Sequence, residues 1–401
     1  MTPRERVLAA LRHEQPDRVP LDLGGTESSG MTAMAYNAFR AHMGLPQGRT
    51  QVYDTYQQIA CIEQDLREAL EIDTVPLLME PREWKPFALP DGSPCEIPGK
   101  WDPVREENGD LVVKDASGQA VARMPAGGFY FEPVNPPLAA VTEAAELDEH
   151  AEAISSFDWP SYADESYAEM TARAKHLYEE TDYCVVANFM CHLLAAGQIL
   201  RGFEDFMVDL MVQKELAHSL LERLTEAYCR RADEYFAAVG DYVQVVLVND
   251  DLGTQGGPML SPECYREMIL PYQRRLFAYV KAAAPEAFVL LHSCGSVREF
   301  IPDLIDAGVD ALNPIQVSAA GMETGELKRD FGDRLTFWGG GCDTQRVLNS
   351  GTPAEVAEEV KRRVGDLSPG GGFVFCQVHN IQSDVPPENV AAMIEALREC
   401  G

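Results

Sequence analysis

Apolar residues in this chain fall into short runs separated by longer amphipathic stretches. Eight runs stand out: RVPLDLG (18–24), DTVPLLM (73–79), YCVVANF (183–189), YVQVVLVND (242–250), FVLLHSC (288–294), VDALNP (309–314), LTFWGG (335–340) and GFVFCQV (372–378). Near-continuous apolar runs of this length read as strands buried on both faces. The intervening segments read as helices, among them 264–284 and 352–367. Two carry start signals: Ser261-Pro262-Glu263, and Thr352-Pro353 with Glu355 just inside. Strands alternating with helices predict a parallel sheet, and eight such units close a (β/α)8 barrel. The expected fold is therefore α/β, a single TIM barrel over 1–401, with a doubly wound open sheet as the alternative.

Residues 81–138 break the pattern. Asn108-Gly109, Ser117-Gly118 and Ala126-Gly127-Gly128 punctuate short alternating runs such as LVVK. This reads as a β-hairpin insertion after the second strand, either a lid over the barrel mouth or a surface or dimer-contact decoration. No internal repeat or low-complexity tract appears.

Composition narrows the function classes. With 46% hydrophobic and 24% charged residues, the chain is an ordinary globular protein. No window is apolar enough to span a membrane, and the N-terminal segment lacks a signal peptide's apolar centre, so a cytoplasmic location is expected. A net charge of −31 argues against nucleic acid or an anionic membrane as partner. Ten cysteines without a CxxC pair are expected to be reduced.

Chemistry is expected where strands end, because barrel active sites lie at the C-terminal ends of the strands. Those ends offer His292, Cys294, Cys342, Cys376 and His379 as metal ligands, and Asp250 and Asp251 as catalytic acids, with Asp73 from an earlier strand. Asn188, Asn249, Asn313, Gln316 and Asn380 are candidate substrate-binding residues. His292 and Cys294 are two apart on one strand and so face the same way. A catalytic zinc takes three such ligands and keeps one position open, and His379, Cys342, Cys376 or an acid at 250–251 could supply the third. GGGCDT (339–344) follows a strand and would let a ligand approach the backbone, but it matches no P-loop or dinucleotide fingerprint.

TPRERVLAALRHEQPDRVPLDLGG, SPECYREMILPYQRRL, LLHSCGSVREFIPDLIDAGVDALNP and VHNIQSDVPPENVAAMIEAL together resemble the uroporphyrinogen decarboxylase superfamily. The resemblance runs from the N-terminus to the last helix, apart from 81–138, and implies a (β/α)8 barrel. It implies one of two chemistries: cofactor-free decarboxylation of a porphyrinogen, or zinc-dependent methyl transfer to or from a corrinoid protein. The decarboxylases carry an arginine-rich segment after the first strand. LDLGGTESSGM (21–31) has no arginine. The methyltransferases carry HxCG, as His292-Ser293-Cys294-Gly295 does, with a third ligand that is a cysteine. His379 stands at that position here, with Cys376 three residues earlier. Decarboxylases also have a histidine there, so His379 does not discriminate; they also place a carboxylate where Asp73 falls.

The resulting expectation is a methyltransferase using one zinc. It would move a methyl group between a small donor or thiol acceptor and the corrinoid of a separate protein, since no DxHxxG corrinoid motif is present. The family resemblance is compatible with a homodimer. A metal-free decarboxylase of a smaller acid and a non-catalytic binding barrel are the alternatives.

Overall fold

Side-chain alternation along the apolar runs decides the architecture. The computed structural model describes residues 1–115, 117–157 and 162–400. Seven strands form one parallel sheet: β1 (Thr74–Leu77), β2 (Cys184–Asn188), β3 (Val245–Asn249), β4 (Phe288–His292), β5 (Ala311–Asn313), β6 (Thr336–Trp338) and β7 (Phe373–Val374), paired in chain order. The sheet curls. Cys184, Val186, Val245, Leu247, Leu290, Ala311, Trp338, Val374 and Cys376 pack together with Val7, Ala10 and Leu11 of the N-terminal helix Pro3–Leu11. The alternate residues Val185, Ala187, Val246, Val248, Val289 and Leu291 belong to a second cluster shared with the surrounding helices. Period-two alternation between two apolar environments marks a TIM-barrel-like α/β fold. Each fully buried Val or Leu contributes about 1.5–3 kcal/mol relative to exposure.

The eighth expected strand, 18–24, is reduced to an isolated bridge between Leu21 and Phe375. The backbone N–H of Asp22 donates to Phe375 O, and that of Asp73 donates to Leu21 O, each at 2.8 Å, so this segment spans the gap between β7 and β1. Pro20 has no N–H to give a ladder, and the chain turns away at Gly24, where φ is +77°. A second departure concerns 264–284. Pro271 cannot donate to the preceding turn, and the expected helix divides into Pro262–Met268 and Leu270–Ala283. The helix expected at 352–367 forms as Pro353–Leu367, with reciprocal capping between Thr352 and Glu355.

Residues 84–133 form two antiparallel sheets rather than one hairpin. Trp84–Ala88 pairs with Pro94–Pro98, while Val104–Arg105, Leu111–Lys114, Ala120–Met124 and Glu132–Pro133 make a four-stranded sheet. Another small antiparallel sheet, not foreseen, joins Met31–Thr32, Val52–Asp54 and Ile59–Ala60. Among the described residues, no helix is long and apolar enough to cross a membrane.

Candidate metal centre

Strand register builds the floor of the site. Asn249 pairs with His292, and His292 with Asn313, so three inward-facing polar residues lie in one row across β3, β4 and β5. They continue the inward parity of Leu247, Leu290 and Ala311. Beyond β4 the chain turns at Gly295, where φ is +84°. A Cβ placed there would sit 2.3 Å from the carbonyl carbon of Gly253, so the loops after β3 and β4 touch backbone to backbone. Three hydrogen bonds fix the turn: Cys294 N–H to Asp251 Oδ1 at 2.8 Å, Gly295 N–H to Gln316 Oε1 at 2.6 Å, and Leu252 N–H to Ser293 Oγ at 3.0 Å.

One ligand atom from each of His292, Cys294 and His379 lies within 4.8 Å of the others. The Cys294 thiol is 3.4 Å from His292 Nε2, and the two imidazoles meet edge-on with centroids 5.6 Å apart. Asn313 settles the His292 tautomer. Its Nδ2 donates to Trp338 O at 3.0 Å, which leaves Oδ1 as the acceptor for His292 Nδ1–H at 2.7 Å. The Nε2 lone pair is thereby turned toward Cys294, the arrangement that metal-binding histidines use. Burial and the neighbouring His292 hold His379 down at about 4, so its imidazole is neutral at neutral pH. Burial and the carboxyl groups of Asp251 and Glu27 push the Cys294 thiol well above its usual range. Such a thiol ionises beside acids only if a cation is present.

A cavity of about 240 Å³ opens over this group. It is lined by Glu27, Asn249, Asp250, Asp251, His192, His292 and His379, and by Tyr56, Tyr130 and Phe131 from the antiparallel segments. No lysine or arginine is among the described lining residues. Asp250 is buried and pushed up to about 7 by desolvation. Its Oδ1 accepts the first N–H groups of helix Leu194–Arg201, and its Oδ2 accepts Gln273 Nε2 at 3.0 Å. Asp251 is half exposed, with Oδ1 3.7 Å from His292 Nε2.

Several expected site residues have other duties. Asp73 precedes β1 and so lies at the opposite end of the sheet. Its carboxylate is buried between Arg6 (2.5 Å) and Arg18 (2.8 Å) and accepts Leu21 N–H, which makes it a seam residue and not a catalytic acid. Cys376 sits lower in the barrel interior, with Asn313 Nδ2 3.7 Å from its sulfur; Cys342 is buried in the outer cluster. Neither belongs to the ligand group. Of the five expected substrate-binding residues, Asn249 lines the cavity. Asn188, Asn313, Gln316 and Asn380 instead hold loops: Asn188 Oδ1 accepts Glu27 N–H, Ser28 Oγ donates to Asn313, and Asn380 bonds Glu27 O and Gly30 N–H.

Those bonds converge on Glu27, which sequence reasoning missed. Its carboxylate takes the side-chain amide of Asn249, and burial with neighbouring Asp54 and Asp251 raises its carboxyl well above the ordinary range. A lone acid in the Gly/Ser-rich stretch GGTESSG was the available signal. His192, two residues past Met190 in the loop after β2, also went unnoticed; burial holds it down at about 3.

The family follows from the match of a uroporphyrinogen decarboxylase (URO-D) sequence model to residues 152–400. The chain belongs to the URO-D family. It is 26% identical over 190 residues to the uroporphyrinogen decarboxylase of Chlorobaculum parvum, covering 47% of this chain and 50% of that one. It is 29% identical over 209 residues to the Hahella chejuensis enzyme of the same name, covering 51% and 54%. The chain thus spans about half the length of these curated relatives. The fold of a methyltransferase from Methanosarcina mazei is similar over 100% of this URO-D family chain and 99% of that one, with a TM-score of 0.61 and 18% identity.

Proposed function

We propose that this chain is a zinc-dependent methyltransferase that exchanges a methyl group between a small methylated donor, or a thiol acceptor, and the corrinoid of a separate protein. The observation that carries this reading is the convergence of one thiol and two imidazoles under a cavity whose described lining includes no lysine or arginine. The donor set suits zinc: one sulfur and two nitrogens, the three protein ligands that a catalytic zinc would take. Asn313 fixes the ring of His292, Asp251 and Gln316 fix the turn that carries Cys294, and the loop of Asn380 carries His379. When bound, zinc supplies Lewis acidity toward a thiol or a leaving heteroatom. The chain's own residues orient the reactants: Tyr130 and Phe131 line the cavity with aromatic surface, and Glu27 presents a carboxyl group to whatever occupies it. The similarity of fold to a methyltransferase from Methanosarcina mazei supports methyl transfer as the kind of reaction.

The curated relatives carry the decarboxylase name. A poly-acidic porphyrinogen needs cationic groups to hold its carboxylates, and this cavity presents acids instead. A volume of about 240 Å³ also suits a much smaller molecule than a tetrapyrrole.

Metal content by plasma mass spectrometry tests the proposal. Wild type is expected to hold about one zinc per chain, with His292→Ala and Cys294→Ala each losing it. Metal-free wild-type protein, prepared without chelators, would sink the reading.

A further inference from the structure

The cavity wall carries chemistry that a metal centre leaves unused. Glu27 is 6% exposed and Asp250 2%, and Asp251 stands beside them at the mouth. A zinc dication offset by the Cys294 thiolate would present one net positive charge to these three carboxyl groups. Asn249 is 4% exposed, and its Oδ1 is buried with no hydrogen-bond partner in the structure. An amide oxygen left in that state costs stability unless something bound donates to it. The same cavity is lined by Tyr56, Tyr130 and Phe131, and the faces of such rings attract cations. Acids, an unmet acceptor and aromatic rings around one small volume share one complement.

We propose that this cavity takes a small N-methylated ammonium ion, held between the carboxyl groups of Glu27, Asp250 and Asp251 and the rings of Tyr56, Tyr130 and Phe131. As the identity of the methyl donor, this rests on the methyl-transfer reading above; as a cation site, it does not. An ammonium donor also suits the reaction. The carbon–nitrogen bond breaks and its electron pair stays on nitrogen, so the amine leaves neutral and needs no proton. The methyl group passes to the cobalt(I) of the corrinoid partner, which is oxidised by two electrons.

Calorimetric titration of the zinc-loaded full chain tests this with three probes: trimethylammonium, choline, and the uncharged alcohol in which carbon replaces choline's nitrogen. Both cations are expected to bind, and the alcohol at least about tenfold more weakly. Glu27→Gln and Tyr130→Leu are each expected to weaken choline binding about tenfold with zinc stoichiometry unchanged. Tyr130 is 41% exposed, so leucine there leaves the core intact. Alcohol binding as tight as choline's overturns the proposal, as does zinc-loaded protein that binds neither cation. Cation binding by a chain that never holds zinc would keep the cation site and sink the methyl-transfer reading instead.

Discussion

Asn313 controls which nitrogen of His292 faces the cavity, because its Nδ2 donates to Trp338 O and so turns Oδ1 toward the ring. Asn313→Ala should free the ring and lower zinc affinity about 10–100-fold, measured by competition against a chelator. An unchanged affinity would mean that the ring is oriented by the metal itself. Asp73 makes the opposite case. Asp73→Ala leaves Arg6 buried without its inner partner and should cost about 3–5 kcal/mol in urea unfolding, while zinc content stays at wild-type level. Loss of zinc in that variant would tie the seam to the site. At this scale the sequence was informative where chemistry coincided with strand ends. His292 and Cys294 share a face by parity alone, and His379 lies in a polar turn. Glu27 was invisible because its loop has no periodicity, and the side-chain amides of Asn188, Asn249 and Asn380, distant in sequence, place it.

Among elements, the parallel strands were legible because apolar runs of the right length have few other homes. The first was misjudged: Pro20 forfeits a ladder donor, so a run that looked like a strand yields one bridge. The antiparallel sheets of 84–133 were legible only in outline. Their turns are marked by glycines, but strands as short as Val104–Arg105 carry too little pattern to set their partners. The contact between the loops after β3 and β4 leaves a sharper trace. Gly295→Ala would demand a Cβ at a positive φ and inside the backbone of Gly253. It should cost well over about 1 kcal/mol and displace Cys294. Differential scanning with and without added zinc checks this. A variant that melts like wild type and gains the same increment from zinc would show that the turn tolerates the change.

The molecule as a whole carries −31 charges, and its surface ion pairs are exposed and individually weak. Self-repulsion should therefore dominate its response to salt. The melting temperature is expected to rise as sodium chloride goes from about 0.01 to about 0.15 M, which shortens the screening length from about 30 to about 8 Å. A melting temperature that falls instead would show that the ion-pair network outweighs the repulsion. The same charge sets a condition on any protein that covers the mouth: its facing surface must be neutral or basic, and their association should weaken with salt.

The clasp between Gly253 and Gly295 also bears on how such a chain can diversify. Each glycine is hemmed in by the other's backbone, so neither can acquire a side chain without a simultaneous change across the gap. The part of the site that holds the candidate metal ligands is in that sense locked by descent. Tyr130, on the rim and reached through a surface sheet, is under no such bond and can be exchanged one substitution at a time. A lineage built on this plan would keep its metal chemistry fixed while its choice of substrate drifts, with the antiparallel segments as the part that varies.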